Sequence, residues 1–266
     1  MKSDDTKVCL TIAGLDPSGG AGIIADIKTF SAFGCFAASA ISSITFQNTQ
    51  GVFGAEHQSA SCVRSQLEPI IDDYKIAALK TGMLPTAEVI DETALVILEN
   101  RLENIVVDPV VRSTSGFDLI SDRALKILVE KLFPVASVVT PNIPEAERIS
   151  GISINTELDI DRAAEAIRSL GARCVLIKGG HFGDGKMAID YFYSETERIV
   201  FKDPYIDTTS THGTGCTLAA AITANLALGE DLVDAIRISK SFVNKAIRAA
   251  PDIGKGNSPL GIFFER

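Results

Sequence analysis

The sequence predicts an α/β fold, a three-layer α-β-α sandwich whose central sheet is mostly parallel and carries a small antiparallel hairpin at one edge. Short β-branched runs alternate with longer segments of helical periodicity along the chain, as in parallel sheets covered by helices on both faces. Residues 186–193 and 198–202 are strand-like runs with no helix between them, which predicts the hairpin. No linker, repeat or low-complexity stretch interrupts the pattern. We therefore expect one domain over residues 1–266, with residues 1–7 as a flexible polar N-terminus.

In the first half of the chain, predicted strands and helices alternate. The first helix illustrates the reasoning, because Ile23, Ile27 and Phe30 recur at helical spacing on one face and Gly34 ends the helix. Ser121 stands where an N-cap residue is favoured. Residues 47–51 are rich in turn-forming side chains and predict a turn. Strands are predicted over 8–13, 36–46, 76–80, 105–108 and 137–140, and helices over 21–33, 59–74, 85–100 and 121–133.

The second half of the chain continues the alternation and closes on two helices. Helices are predicted over 144–150, 159–170, 215–228 and 231–249, and a strand over 174–178. The polar and glycine-rich segments all follow predicted strands; they are residues 14–20, 80–83, 108–110, 140–142 and 178–181. In an open α/β sheet, ligands bind outside the carboxyl ends of the strands. The sequence therefore predicts a single cleft built by several loops.

Charge and cysteine content exclude several classes of function. The chain has 25 Lys and Arg against 34 Asp and Glu, a net charge of −9, with no basic cluster, so nucleic-acid binding is not expected. No apolar run reaches the ~18 residues of a membrane span, and the first residues are polar rather than signal-like, so no membrane partner is expected. The five cysteines are scattered and form no C-x-x-C pair, which favours reduced thiols and a cytoplasmic protein.

The segment 210–217 (STHGTGCT) carries the most specific chemistry, because it opens a predicted helix with glycines. Bare backbone at a helix N-terminus can approach an anion, and the helix dipole then stabilises it. Cys216 lies in the first turn, where thiol pKa values are lowered, so a thiolate there could accept a proton or act as a nucleophile. Proton acceptance fits better beside an anion-binding helix start. Two plainer interpretations stay open: a glycine N-cap on a buried helix, and a cysteine that only fills the core.

A second set of polar residues suits a nucleotide and its metal. Asn142 and Glu145 begin a helix and could hold Mg²⁺ through water, although an acid that complements the helix dipole is the alternative. Asp108 ends an apolar strand and needs a cation as partner. Lys178 also ends a strand, where it suits nucleotide phosphates, with a surface salt bridge as the alternative. Met83 could line a pocket or fill the core. Together these residues indicate phosphoryl transfer, in which a protein mainly positions and neutralises.

Seven motifs, in this order and spacing, resemble those of the hydroxymethylpyrimidine/phosphomethylpyrimidine kinases of thiamine biosynthesis, within the ribokinase-like superfamily. The resemblance runs from about residue 8 to the C-terminus, and the first and last motifs are the most specific. The motifs are 11–22 (TIAGLDPSGGAG), 47–49 (QNT), 80–83 (KTGM), 107–110 (VDPV), 140–145 (TPNIPE), 178–181 (KGGH) and 211–216 (THGTGC).

The resemblance implies a ribokinase-like fold, a homodimer, and two successive phosphorylations of 4-amino-5-hydroxymethyl-2-methylpyrimidine by ATP with Mg²⁺. It implies a pyrimidine pocket of Gly14, Asp26, Thr45, Gln47, Met83, Val110 and His212. It implies an anion hole of Gly213, Thr214 and Gly215, with Cys216 as the base. It implies that Asn142, Lys178 and Lys240 contact ATP and that Glu145 is the carboxylate that holds Mg²⁺. Asp108 is added as a second magnesium carboxylate because, as argued above, it needs a cation as partner.

Two other functions stay open at this point. Pyridoxal kinases of the same superfamily usually carry Asp where this chain has Cys216, which favours the pyrimidine, but residues alone do not exclude pyridoxal or pyridoxine as acceptor. A non-catalytic binding protein on a kinase scaffold would be expected to lose its phosphate or magnesium residues. Here Asp108, Glu145 and Lys178 are all present.

Overall fold

A computed structural model of the chain describes residues 6–111, 118–180, 182, 185–208 and 210–262. His181, the last residue of the motif 178–181, lies outside these ranges. The strands are β1 (Val8–Leu15), β2 (Phe36–Asn48), β3 (Gly51–His57), β4 (Ile76–Thr81), β5 (Ile105–Val107), β6 (Val138–Val139), β7 (Val175–Lys178), β8 (Met187–Tyr193) and β9 (Arg198–Pro204). The helices are α1 (Gly22–Ala32), α2 (Ala60–Asp73), α3 (Ala87–Glu99), α4 (Asp122–Leu132), α5 (Ile143–Ser150), α6 (Glu157–Ser169), α7 (Thr214–Leu228) and α8 (Leu232–Arg248).

The described strands form one sheet in the order β3-β2-β1-β4-β5-β6-β7-β8-β9. The run from β2 to β7 is parallel throughout, and the predicted hairpin β8–β9 extends it antiparallel at one edge. Each β-branched run predicted as a strand is one, because such side chains fit a sheet buried on both faces. The predicted α/β class, mostly parallel sheet and edge hairpin are confirmed.

The opposite edge of the sheet differs from the prediction. The predicted turn over 47–51 is confined to Thr49 and Gln50, since β2 runs on through Asn48 and an unpredicted strand, β3, starts at Gly51. β3 pairs antiparallel with β2 from Asn48↔Gly51 to Ser43↔His57. Its sequence, GVFGAEH, has two glycines and little β propensity, so pairing with β2 decides its conformation.

Two helical layers cover the sheet. α1, α7 and α8 pack together on one face, and α2 to α6 lie on the other. α7 is apolar on all sides and buried along its length because it lies between the sheet, α1 and α8. No helix in the described ranges has the length and apolar character that a membrane span requires.

The strand order places a crevice at the carboxyl end of β1. From β1 the chain moves outward to β2 and β3, then returns to form β4 on the other side of β1. Such a reversal opens a ligand crevice between the loops that follow the two strands. Here those loops are the glycine-rich segment after β1 and the segment that contains Gly82, whose N–H donates to the carbonyl of Ile12 over 2.9 Å.

Candidate active site

A cavity of about 430 Å³ opens at the carboxyl ends of the strands, where the sequence predicts the cleft. All the predicted site residues line it except Asp26. They are Gly14, Thr45, Gln47, Met83, Asp108, Val110, Asn142, Glu145, Lys178, His212, Gly213, Thr214, Gly215, Cys216 and Lys240. The first and last motifs of the chain therefore contribute to the same cavity, although almost two hundred residues separate them.

The segments 16–22 and 212–217 meet directly across this cavity. His212 Nε2 lies 2.8 Å from Asp16 Oδ2. Gly213 has φ +82°, and a Cβ at this position would lie 1.9 Å from the carbonyl oxygen of Gly20. A Cβ at Gly20 would in turn lie 2.3 Å from the ring of His212. The glycines are required because only bare backbone allows so close an approach.

Asp16 organises the loop after β1, although it was not predicted individually as a site residue. Its Oδ1 accepts from the N–H and the hydroxyl of Ser18, over 2.8 and 2.7 Å, and its Oδ2 accepts from the N–H of Ala21 over 2.9 Å. Burial alone would raise the pKa of Asp16, but the hydrogen bonds from His212 and Ser18 outweigh it and hold the pKa below its usual value. The run of small residues after Asp16 is the sequence feature that could have identified it, because their N–H groups can donate hydrogen bonds to the preceding carboxylate.

The end of the cavity next to β2 presents an amide beside an imidazole. Gln47 Nε2 lies 3.2 Å from His212 Nε2, and Thr45 Oγ1 lies 3.1 Å from Gln47 Oε1. His212 Nε2 donates its proton to the ionised Asp16, so it cannot also accept one from Gln47. The amide of Gln47 is therefore oriented with its oxygen toward His212 and its NH₂ group toward Thr45. Thr45 then accepts from the amide and donates to the carbonyl of Leu15, 3.0 Å away. Gln47 therefore offers a donor and an acceptor to a flat heterocycle.

Gly14 and Met83 form the wall of the cavity opposite Gln47. A Cβ at Gly14 would lie 3.0 Å from the Met83 sulfur, so Met83 packs directly on the glycine loop. Met83 is 7% exposed, and its carbonyl accepts from the Ser42 hydroxyl over 2.6 Å. Met83 thus both lines the pocket and belongs to the core, which unites the two interpretations that the sequence left open.

The glycine-rich start of α7 forms the predicted anion-binding position. Gly213 is the left-handed N-cap residue, and the first-turn N–H groups that follow have no partner within the helix. A Cβ at Gly215 would lie 3.2 Å from Lys178 Nζ, so the helix start and a lysine face the same space. A helix N-terminus next to an ammonium group can stabilise a phosphoryl group from two sides.

The thiol of Cys216 departs from the prediction. Burial, together with the negative charges of Asp26 and Asp108, raises the pKa of Cys216 to about 11, although Lys80 opposes them. The predicted lowering of the Cys216 pKa by the helix N-terminus is therefore wrong. Burial removes more stabilisation from the thiolate than the helix start returns. The thiol is protonated near neutral pH.

Two lysines of the cavity are paired with carboxylates. Lys178 Nζ lies 2.8 Å from Asp108 Oδ1, which also accepts from the Thr140 hydroxyl over 3.1 Å. Burial would raise the pKa of Asp108, but Lys178 outweighs it and holds the pKa below its usual value. Lys240 Nζ lies 2.6 Å from Asp190 Oδ2. Lys178 therefore does form a salt bridge, but not the surface salt bridge of the alternative interpretation, because the pair is buried and lines the cavity.

A third pair, Lys80 and Asp26, lies at the floor of the cavity and changes the interpretation of both residues. Asp26 is fully buried and does not line the cavity; its Oδ2 accepts from Lys80 Nζ over 2.9 Å and from the Thr11 hydroxyl over 2.7 Å. The structure therefore does not place Asp26 in the predicted pocket wall. Lys80, equally buried, does line the cavity and was not predicted individually. Burial disfavours its charged form, but the neighbouring Asp26 and Asp108 outweigh it and hold the pKa of Lys80 above its usual value.

Glu145 and Asn142 form the position that suits a magnesium ion. Glu145 Oε2 accepts from the Asn142 N–H over 2.8 Å, and Asn142 Oδ1 accepts from the Glu145 N–H over 2.9 Å, so they make a capping box at α5. Burial, with the nearby Asp108, raises the pKa of Glu145 to about 7, although Lys178 opposes it. Two buried carboxylates at the phosphate-binding end fit a hard cation that keeps most of its water. Among the described residues, no three or more His, Cys, Asp or Glu side chains are grouped so that they could hold a metal ion.

The end of the cavity away from β2 is largely apolar. Of the described residues that line it, Lys240 is the one that the sequence predicted. Its lining comes from β8, from residues 205–208, and from α7 and α8. The lining residues are Ala188, Ile206, Thr208, Leu218, Val243, Asn244 and Ile247. Such a slot suits the flat base of a nucleotide whose phosphates point toward the start of α7. Single apolar residues scattered over four segments cannot be distinguished from core residues in a sequence.

The family model and the sequence relatives identify one family. The family model "Phosphomethylpyrimidine kinase" matches residues 16–261. The chain is 41% identical over 258 residues to a hydroxymethylpyrimidine/phosphomethylpyrimidine kinase of Haemophilus influenzae, covering 96% of both proteins. It is also 41% identical over 258 residues to the enzyme of the same name from Bacillus subtilis, covering 97% of this chain and 95% of that one.

Solved structures share the fold. A phosphomethylpyrimidine kinase from Clostridium difficile aligns with a TM-score of 0.80 and 41% identity, over 91% of this chain and all of that one. A Bacillus subtilis pyridoxal kinase, solved as an ADP complex, aligns with a TM-score of 0.88 and 37% identity over 96% of both chains. The expected ribokinase-like fold is confirmed.

Proposed function

This chain belongs to the phosphomethylpyrimidine kinase family, and on that basis we propose that it phosphorylates 4-amino-5-hydroxymethyl-2-methylpyrimidine with ATP and then converts the monophosphate to the diphosphate. One observation carries the proposal. The amide-bearing pocket at Gln47 and the anion-binding start of α7 open into the same cavity and are joined by the contact between His212 and Asp16. An acceptor bound at the first would present its hydroxymethyl group at the second.

The acceptor pocket suits an aminopyrimidine. The ring offers an amino donor beside a nitrogen acceptor, and the amide of Gln47 matches that pair with its oxygen and its NH₂ group. Met83 and Gly14 form a narrow wall against which a flat ring can stack. Val110 completes the pocket at the loop after β5.

The phosphate-binding part of the cavity contains positive charges and N–H donors that already point into it before a substrate binds. Lys178 and the N–H groups at Gly213, Thr214 and Gly215 would hold the migrating phosphoryl group, and Lys240 would lie on the nucleotide side. Preorganised donors of this kind usually make the largest contribution to phosphoryl transfer.

Magnesium is the second cofactor of the proposal. Glu145, Asn142 and Asp108 would hold Mg²⁺, through water where phosphate oxygens do not reach it directly. When bound, the ion would neutralise the negative charge that develops on the phosphates. The proton of the acceptor alcohol would pass to Cys216, which we assign as the base.

Pyridoxal or pyridoxine phosphorylation is the second candidate. The observation in its favour is the similarity to the Bacillus subtilis pyridoxal kinase over nearly the whole chain. A pyridine ring fills the same narrow slot, but it lacks the amino group beside a ring nitrogen that Gln47 matches. We therefore rank the pyrimidine first.

We also propose that the protein is a cytoplasmic homodimer. The sheet edge formed by β2 and β3 exposes large apolar side chains, with Phe46 52% and Phe53 69% exposed, and such a patch suits a second copy of the chain. The five cysteines are free, as expected in a reducing compartment. Light scattering in solution tests the dimer against the 28.3 kDa chain mass.

A coupled assay of ADP release tests the proposed activity. The hydroxymethylpyrimidine, its monophosphate and pyridoxine are each offered with ATP and Mg²⁺, with no-acceptor and EDTA reactions as controls. We expect turnover of both pyrimidines, dependent on acceptor and on Mg²⁺. Turnover of pyridoxine alone would contradict the first assignment and support the second.

A further inference from the structure

Asp16 is held as a carboxylate at the end of the cavity next to β2. The residue is 2% exposed, and its two oxygens accept from the N–H and hydroxyl of Ser18 and from the N–H of Ala21. Several such hydrogen bonds stabilise the charged form of a carboxyl group, and a carboxylate can only accept. His212 Nε2, which lies 2.8 Å from Asp16 Oδ2, is therefore a donor.

The imidazole of His212 has little room to turn away from Asp16. His212 is 7% exposed, and its backbone pairs with that of Pro259. A Cβ at Gly20 would lie 2.3 Å from Cδ2 of the imidazole, so the ring packs against bare backbone. The direction of the Nε2 proton is therefore set by the protein itself rather than by a ligand.

The amide of Gln47 is held from both of its ends. One end lies 3.2 Å from His212 Nε2, and because that nitrogen is a donor, this end is the amide oxygen. The other end lies 3.1 Å from Thr45 Oγ1, which donates its proton to the carbonyl of Leu15 over 3.0 Å. Thr45 therefore accepts from the NH₂ group of Gln47. A continuous chain of hydrogen bonds from Asp16 to Leu15 thus sets the direction of the amide.

We propose that Asp16, acting through His212, is a positioning residue that fixes the Gln47 amide and thereby decides which way round the acceptor ring binds. This inference deepens the proposed function and rests on it. In the pyrimidine, the ring nitrogen N3, the amino group on C4 and the hydroxymethyl group on C5 follow one another along one edge. The amino group would bind the amide oxygen on the His212 side, and N3 would bind the NH₂ group on the Thr45 side. The hydroxymethyl group then lies beyond the amino group, toward Gly213 and the start of α7.

A 4-oxo analogue of the pyrimidine probes this direction, because its donor and acceptor are interchanged while its shape is nearly the same. It carries a carbonyl in place of the amino group and an N–H in place of the N3 lone pair. To match the fixed amide it must turn over, which directs its hydroxymethyl group toward Thr45 and away from α7. The site should therefore phosphorylate the amino ring and hold the 4-oxo ring unproductively.

The test compares His212→Phe with His212→Gln. Phe keeps a flat ring but has no donor, so the Gln47 amide is free to turn, whereas Gln keeps an N–H donor for Asp16. The substitution is made at His212 because replacing Asp16 would also remove the acceptor of the Ser18 and Ala21 N–H groups. The measured quantity is the ratio of kcat/KM for the amino ring to kcat/KM for the 4-oxo ring. We expect a ratio of about 100 or more in the unsubstituted protein, a fall of about tenfold or more in His212→Phe, and a change of less than about threefold in His212→Gln.

Two further variants complete the experiment. His57→Phe is the matched control, the same change on β3 outside the cavity, and should leave the ratio unaltered. Thr45→Val releases the other end of the amide and should also lower the ratio, so the inference stays testable if His212→Phe does not fold. A thermal melt shows which variants fold. General damage to the pocket slows both rings alike and leaves the ratio unchanged.

The outcomes separate the inference from the proposed function. A ratio near one in the unsubstituted protein, an unchanged ratio in folded His212→Phe or Thr45→Val, or an equal loss in His212→Gln and His212→Phe would overturn the inference. The proposed function would stand in each of these cases, provided that the amino ring is phosphorylated. If the unsubstituted protein phosphorylates neither ring, the proposed function itself is wrong and the inference falls with it.

Discussion

Glu145 should make the protein less stable as the pH rises, when no divalent cation is present. The residue is 5% exposed, and burial beside Asp108 raises the pKa of its carboxyl group from 4.5 to about 7. Between these two pH values the native state holds a proton that the unfolded chain has lost. Stability therefore falls as the pH rises through this window. The perturbation is Glu145→Gln, which is neutral at every pH and can keep the capping box.

The size of the effect follows from the shift in pKa. A difference of 7 − 4.5 = 2.5 pK units corresponds to about 3 kcal/mol at 1.36 kcal/mol per unit. The free energy of unfolding of Glu145→Gln, relative to the unsubstituted protein, should therefore rise by about 3 kcal/mol between pH 4.5 and pH 8. The part of the difference that does not depend on pH reports the altered hydrogen bonds of Gln.

Urea unfolding followed by circular dichroism in EDTA measures this difference at each pH. Glu147→Gln on the same helix is the matched control, since it removes a carboxylate outside the cavity. Mg²⁺ at millimolar concentration should flatten the pH dependence, because the ionised Glu145 then gains a cation. A difference between Glu145→Gln and the unsubstituted protein that is the same at pH 5 and pH 8 would refute the reasoning.

Two further results are expected. The pH at which iodoacetamide alkylates Cys216, followed by peptide mass spectrometry, should be higher in Lys80→Met, because that variant lacks a positive charge near the thiol. It should be lower in Asp26→Asn, because that variant lacks a negative charge. Shifts of the same sign in the two variants would contradict this. Gly213→Ala should lower kcat/KM by about 100-fold or more, because its Cβ would lie 1.9 Å from a backbone carbonyl oxygen at the anion-binding turn. Gly229→Ala is its control and should keep activity, because φ is also positive there (+95°) but the space around the Cβ is open.

The strands and helices that the sequence predicted correctly have strong local signals. Ile105–Val107 is a β-branched run, α1 has an apolar face followed by Gly34, and Ser121 caps α4 through the N–H of Ala124. β3 has no such signal, because its residues are extended only through pairing with β2. Local patterns therefore predicted most elements and missed the one that depends on a neighbour.

In the candidate site, too, local motifs were predicted correctly and features that depend on tertiary contacts were missed. Glycine-rich motifs marked the cavity, since a close backbone approach requires glycine, as at Gly213. The position of Asp26 beneath the wall and the burial of Lys80 depend on each other, because neither charge is stable there without its partner. The direction of the Cys216 pKa shift was wrong for a similar reason. The sequence reveals the helix start beside the thiol but not the burial that outweighs it.

The transfer of phosphorus to the pyrimidine tests the central claim most directly. Phosphorus NMR of the protein with ATP, Mg²⁺ and the hydroxymethylpyrimidine follows every phosphorus atom without a coupling enzyme. A phosphate-monoester signal should appear first and give way to the coupled pair of a diphosphate, while ATP is lost in step. Loss of ATP to inorganic phosphate, with no signal from a phosphorylated pyrimidine, would contradict the account.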